Sequence, residues 1–298
     1  MVTLDVTHET VYAYGARVDL AQHLAHLRPR ATPEQQVESA AITIEPEPQH
    51  WTEGRDVFGN ARDAFSFYAP HDALRVVSTC RVHLTPGAGE RAGGDPWERV
   101  AQACRYAAGR PFVAASEFVF GSPFVPPVPA LRDYAATSLT PGRSLLAAAD
   151  DLMRRIHADF TYDGSATEVH TPLTQAFAQR RGVCQDFAHL MIGALRAHGL
   201  PARYVSGYLL TQPPPGQPRL LGADASHAWV AVWCPPWGWV DFDPTNALRP
   251  AQGANHVTVA IGRDYGDVMP LRGVIRGGGE HSLTVAVSVV PVTETPAD

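Results

Sequence analysis

Through the first 85 residues, apolar and polar positions alternate with the period of strands that bury one face. In LRVVSTCRVHL, Leu74, Val76, Ser78, Cys80, Val82 and Leu84 form one register, against more polar residues in the other. VESAAITIEP stops at Pro46 and NARDAFSFYAP at Pro70, and the Gly-Asn of DVFGN supplies a turn signal between them. Short strands broken by Gly and Pro predict a small β-sandwich-like domain over residues 1–85. Cys80, alternating with aliphatics, reads as a core residue.

Residues 86–96, within TPGAGERAGGDP, have the composition of a linker. Beyond them the period changes. Trp97, Val100, Ala101 and Cys104 recur at helical spacing, and GSPFVPPVP is an irregular, proline-stiffened crossing. A stronger helix follows, with Leu145, Ala149, Leu152 and Ile156 on one stripe and His157 off it, in solvent. Phe187, Leu190 or Met191, and Ala194 or Leu195 mark another, stopped by Gly199 and Pro201. ARYVSGYLL, HAWVAVW and WVDFDPTNA then read as strands, with a proline-rich loop from Thr211 to Ser226 leading into His227. HSLTVAVSVVPVTETP is a last strand with a frayed end. The fold class is α+β, with residues 97–298 as a second domain. Its core motifs lie in 171–247 and a closing β segment covers 257–293.

Composition narrows the possible partners. A formal net charge of −6 with dispersed basic residues argues against nucleic acid. No apolar run is long enough to span a bilayer, so no membrane partner is expected. MVTLDVTHET lacks the basic start and apolar core of a secretory signal, which leads to a cytoplasmic expectation. The four cysteines, Cys80, Cys104, Cys184 and Cys234, are widely spaced with no C-x-x-C pair. Neither a disulfide framework nor a zinc site is indicated, and no cofactor or metal is expected.

Cys184 sits in or just before the first turn of its helix. Unpaired N–H groups and the dipole there favour an anion and draw a thiol toward thiolate. Gly182 lets the backbone approach closely. A thiol nucleophile also needs a base, and the base needs a group to orient it. SHAWVAVWCPPWGWVDFDPTN offers both on one hairpin. His227, Trp229, Ala231 and Trp233 share one side of the first strand, and Trp239, Asp241 and Asp243 share one side of the second. A turn of Cys234, Pro235 and Pro236 sets Trp233 opposite Trp237 and His227 opposite Asp243, with Cβ atoms about 4.5–5.5 Å apart. Asp241 is the rival orienter, and a turn role is the plainer reading of either aspartate. His189 and His198 read as hydrogen-bonded or exposed, Cys234 as incidental, and most of the hairpin tryptophans as packing.

RRGVCQDFAHLMIGALRAHGLPARYVSGY, SHAWVAVW and GWVDFDPTN resemble the three core motifs of the transglutaminase-like superfamily. More narrowly they are similar to its bacterial branch, often described as candidate cysteine proteases. The β-rich start and GRDYGDVMPLRGVIRGGGEHSLTV resemble the N-terminal domain and closing segment of that branch. The resemblance implies a papain-like core in which a helix carries the cysteine against an antiparallel sheet bearing His and Asp. It puts the nucleophile on Cys184, the base on His227 and the orienting acid on Asp243 in preference to Asp241. It implies acyl transfer through a Cys184 thioester, on a peptide or protein amide substrate. Hydrolysis is the expected outcome; protein cross-linking and a non-catalytic peptide-binding module are the alternatives. The Cys184 N–H is a natural oxyanion donor, with Gln175, Gln179 and Gln185 as candidates for the second.

Overall fold

The computed structural model describes residues 1–87, 92–109, 111–211 and 225–292. The linker over 86–96 lies partly outside them, and the loop from Thr211 to Ser226 almost wholly so.

The N-terminal β region is a long strand with partners on both flanks. Its strands are β1 (Val2–Ala25), β2 (Gln35–Glu45), β3 (His50–Arg55), β4 (Ala61–Phe67) and β5 (His71–Leu84). They run in the order β2-β5-β1-β4-β3. The register of β1 against β5 slips between Ala13 and Val18, so β5 follows the first half of β1 and β4 the second. The bent sheet encloses a core of Val18, Ala21, Ile42, Ile44, Phe65, Phe67, Leu74 and Val76. The alternation read in β5 is all buried, from Leu74 through Cys80 to Leu84.

The chain continues with α1 (Trp97–Cys104), a short 3-10 turn over Ala114–Val119, α2 (Pro129–Ala136) and α3 (Leu145–Asp159). Then come β6 (Thr161–Tyr162), α4 (Leu173–Gln179), β7 (Arg181–Gly182) and α5 (Cys184–Arg196). Strands β8 (Ala202–Leu209), β9 (Ala225–Trp233) and β10 (Trp239–Phe242), helix α6 (Pro250–Gly253) and strand β11 (His256–Gly262) follow. The sheet has the order β10-β9-β8-β11, antiparallel throughout. Its strands alternate between two cores. Ala228, Val230, Val232, Val240 and Phe242 face the helices, while Trp229 and Ala231 join Val205 and Ile261 on the other side. The chain ends with α7 (Tyr265–Val268), β12 (Leu271–Gly277) and β13 (His281–Pro291).

The closing segment expected over 257–293 divides between the two sheets. β11 belongs to the second sheet, but β12 and β13 both pair with β1. Alternation reveals a strand but not its partner, and these pairings join opposite ends of the chain. Two buried amides complete the union. Gln35 accepts from Thr258 N and donates to Thr258 O, each at 2.8 Å. Asn60 treats Ile261 the same way, at 2.9 and 2.7 Å. Together they satisfy the free edge of β11, a row of peptide groups that would otherwise be open to other strands. Among the described residues, no helix is long and apolar enough to cross a membrane.

Candidate active site

Cys184 is the first residue of α5, and local chemistry fixes that start. Val183 before it is extended, and Asp186 folds back to accept the Val183 N–H at 2.8 Å and the Thr167 hydroxyl at 2.7 Å. A Cβ on Gly182 would lie 2.5 Å from the Asp186 carboxylate, so glycine is needed there for room. Phe187, Leu190, Met191, Ala194 and Leu195 bury the helix against the sheet. At its far end the buried Arg196 guanidinium donates to the carbonyls of Phe118 (3.0 Å), Ala202 (2.9 Å) and Arg263 (2.6 Å). The helix is pinned at both ends, and its N-terminal N–H groups have no intrahelical acceptor.

The hairpin register differs from the expected one. Trp233 pairs with Trp239, and the turn is Cys234–Gly238, closed by Cys234 N to Gly238 O at 2.7 Å. Continuing that pairing, the position opposite Asp243 is Trp229. The slip from Trp237 to Trp239 is an even number of residues, so no side chain changes face. Asp243 stays on the side of His227 and reaches it diagonally. His227 Nε2 donates to Asp243 Oδ2 at 2.8 Å. Asp241 is occupied elsewhere, accepting the Trp229 indole N–H at 3.1 Å.

Asp243 does two jobs with two oxygens. Oδ1 accepts from the backbone N–H of Thr245 (2.9 Å) and Asn246 (3.2 Å), the turn role expected of an aspartate before proline. Oδ2 takes His227, the Asn246 side-chain amide at 2.7 Å and His256 Nε2 at 3.0 Å. The carboxylate is fully buried. Burial pushes its pKa up, but the hydrogen bonds and charge of His227 and His256 outweigh it and hold the group well below the usual carboxylate range. An ionised carboxylate only accepts, so Nε2 of each histidine carries a hydrogen.

With Nε2 committed to Asp243, the other nitrogen of His227 is left for Cys184, whose interaction with the ring, like that of Asp243, favours its charged form. Burial opposes charge on this ring, yet Asp243 and Cys184 together raise its pKa to about 10. His227 is thus hydrogen-bonded to Asp243 and coupled electrostatically to Cys184. Cys80, Cys104 and Cys234 are buried away from it, whereas Cys184 is half-exposed. Burial, with a smaller contribution from the Asp5 charge, pushes the Cys80 thiol up to about 12.

Other candidates fall into place around these three. Gln185 donates to Val169 O at 3.0 Å, and Gln175 and Gln179 lie exposed on α4. His189 is buried and accepts the Tyr265 N–H at 3.2 Å, and burial lowers its pKa to about 3. His198 meets the Arg132 carbonyl at 3.0 Å, and the exposed His157 meets Thr245 O at 2.9 Å. Trp233, Trp237 and Trp239 line a cavity of about 500 Å³ that Arg30, Glu34 and Leu84 of the N-terminal β region also wall; Cys184 and His227 are not among its walls. His256 and Asn246, both on Asp243, were not foreseen. The asparagine ends the quoted DPTN run, but His256 carries no local motif. The coordinating atoms of His227, Asp243 and His256 lie within 4.8 Å of one another, as in a metal triad. The 2.8 and 3.0 Å separations at Oδ2 are those of hydrogen bonds with a proton between the atoms.

Comparison with known proteins agrees with this architecture. Residues 4–83 match the bacterial transglutaminase-like N-terminal region, and residues 132–244 match the transglutaminase-like superfamily. An uncharacterized protein of Mycobacterium tuberculosis is 40% identical over 297 residues, covering 96% of this chain and 92% of that protein. A protein-glutamine gamma-glutamyltransferase of Pseudomonas aeruginosa is 33% identical over 137 residues, covering 40% of this chain and 20% of its own length. The crystal structure of a candidate cysteine protease from Cytophaga hutchinsonii covers 99% of this chain and 92% of its own, with a TM-score of 0.75 at 18% identity, a likeness of fold. The chain belongs to the transglutaminase-like superfamily, and its β-rich start is that family's bacterial N-terminal region.

Proposed function

We propose that this protein is a cysteine-dependent acyl-transfer enzyme that hydrolyses peptide or other amide bonds. The observation that carries the reading is the buried His227, hydrogen-bonded to the Asp243 carboxylate at 2.8 Å and coupled electrostatically to Cys184. The Cys184 proton passes to His227 Nδ1, and the sulfur attacks the amide carbonyl carbon. The backbone N–H of Cys184, at the helix start, receives the oxyanion. As the intermediate collapses, His227 returns the proton to the departing amine and a thioester remains. Water then loses a proton to His227 and adds to the thioester, which releases the acid and restores the thiol. None of the four cysteines forms a disulfide, which suits a reducing compartment such as the cytoplasm.

Amine transfer uses the same residues, with a lysine-like amine in place of water. The partial match to a protein-glutamine gamma-glutamyltransferase favours keeping this second reading. Iodoacetamide kinetics test the common part: Cys184 alkylates fast near neutral pH, and His227→Ala slows it by at least about tenfold. Slow labelling indifferent to His227 would leave a peptide-binding module. Incubation with a glutamine donor and a labelled amine separates the two enzymes, since ammonia release without incorporation of label means hydrolysis.

A further inference from the structure

His256 is the first residue of β11, far in sequence from the hairpin, yet its Nε2 donates to the same Asp243 oxygen that holds His227. The ring is buried and fixed on every side. Its Nδ1 meets the Asn255 side chain at 2.8 Å. Trp229 packs edge-on at 5.1 Å, its indole N–H tied to Asp241. A histidine placed only to fill space would not need its nitrogen on the one carboxylate that orients the candidate base.

We propose that His256 is a positioning residue that divides the negative charge of Asp243 and so keeps the proton on His227 transferable. This rests on the acyl-transfer reading above. A general acid works best when its proton affinity lies near the working pH. A carboxylate committed wholly to His227 would hold the imidazolium proton too firmly to release it to a leaving amine. Each additional donor on Oδ2 draws charge away from the His227 contact and lowers that affinity. Since Asp243 only accepts, His256 donates whether its ring is neutral or charged, and the direction of the effect is the same in both cases.

The other charged groups around His256 are Asp241 on β10, Arg203 on β8, and Arg30 and Glu34 of the N-terminal β region, across the cavity that His256 helps to line. None is altered in the test. His256→Phe keeps the ring and removes the donor, while His256→Gln keeps an N–H at similar reach. The readout is the pH at which His227 loses its proton, followed by NMR of ¹⁵N-histidine-labelled protein. In His256→Phe this pH should rise by about one unit, a tenfold gain in proton affinity, and in His256→Gln it should return toward the wild-type value. Should His256→Phe not fold, His256→Asn, whose amide is too short to reach, replaces it in the comparison with His256→Gln. An unchanged or lowered His227 titration in a folded variant overturns the proposal. Cys184 alkylation that ignores His227 would instead overturn the enzyme reading, and the NMR shift is independent of that result.

Discussion

Asp243 meets His227 across the hairpin on a diagonal, since the register, continued one residue past Phe242 and Val230, sets Asp243 opposite Trp229. The carboxylate accepts from three side chains and two backbone amides, and every one of these partners is a donor. An asparagine here must aim its NH₂ at donors in either orientation. Asp243→Asn is therefore expected to be nearly as damaging as Asp243→Ala. Amide turnover should fall by about 10³-fold or more, and stability by about 2–4 kcal/mol. Denaturant titration and turnover of the two variants check this; an asparagine variant with near-native stability contradicts the donor-only reading.

Gly207 lies opposite His227 on β8 and is paired on its other edge with Thr258. A Cβ there would stand 2.0 Å from the Val257 carbonyl oxygen and 2.6 Å from the Trp229 ring. Neither neighbour is a flexible tip, because one is backbone and the other is a fully buried indole. Gly207→Ala is expected to cost about 3 kcal/mol, at the upper end for overpacking. It should also loosen the strand that presents His227, so Cys184 alkylation should slow in parallel with the fall in the urea midpoint.

The site was legible in sequence where local rules govern it. The helix start at Cys184, the shared face of His227 and Asp243, and the turn role of Asp243 all follow from period and turn chemistry. The register did not follow, because the length of the Cys234–Gly238 turn depends on a backbone closure that no residue pattern announces. Parity rescued the pairing, since a slip of one residue would have turned Asp243 to the opposite face. His256 and the edge-capping Gln35 and Asn60 were invisible for a related reason. Each acts through a partner in another part of the chain, and β11, β12 and β13 find their neighbours only when the fold is complete.

His23 predicts how the protein responds to acid. It stacks on Phe65 beside Phe67, and its buried Nε2 has no hydrogen-bond partner among the described residues. Burial, with a smaller contribution from His71, lowers its pKa from 6.5 to about 4. The unfolded chain thus binds this proton more readily, and folding loses stability as pH falls from 6.5 toward 4. His23→Phe removes both the unpaired nitrogen and the proton. Relative to wild type, it should gain about 1–2 kcal/mol between pH 7.5 and pH 5. Paired denaturant titrations at the two pH values measure the difference, and a gain independent of pH would assign it to packing alone.

His227 has the opposite sign. Its folded pKa, about 10, lies above the unfolded 6.5, because the contacts with Asp243 and Cys184 outweigh burial. Its contribution to stability is fully present below pH 6.5 and is lost as pH rises toward 10. Wild type should therefore exceed His227→Ala in melting temperature by most at pH 6, and the gap should narrow by roughly 3 °C or more by pH 9.5. His23 is present in both proteins, so its own titration cancels from the gap between them. A gap that stayed constant from pH 6 to 9.5 would mean that the ring is held neutral in the folded protein. The proton that His227 must pass to the leaving amine would then have to be acquired from Cys184 only at the moment of attack.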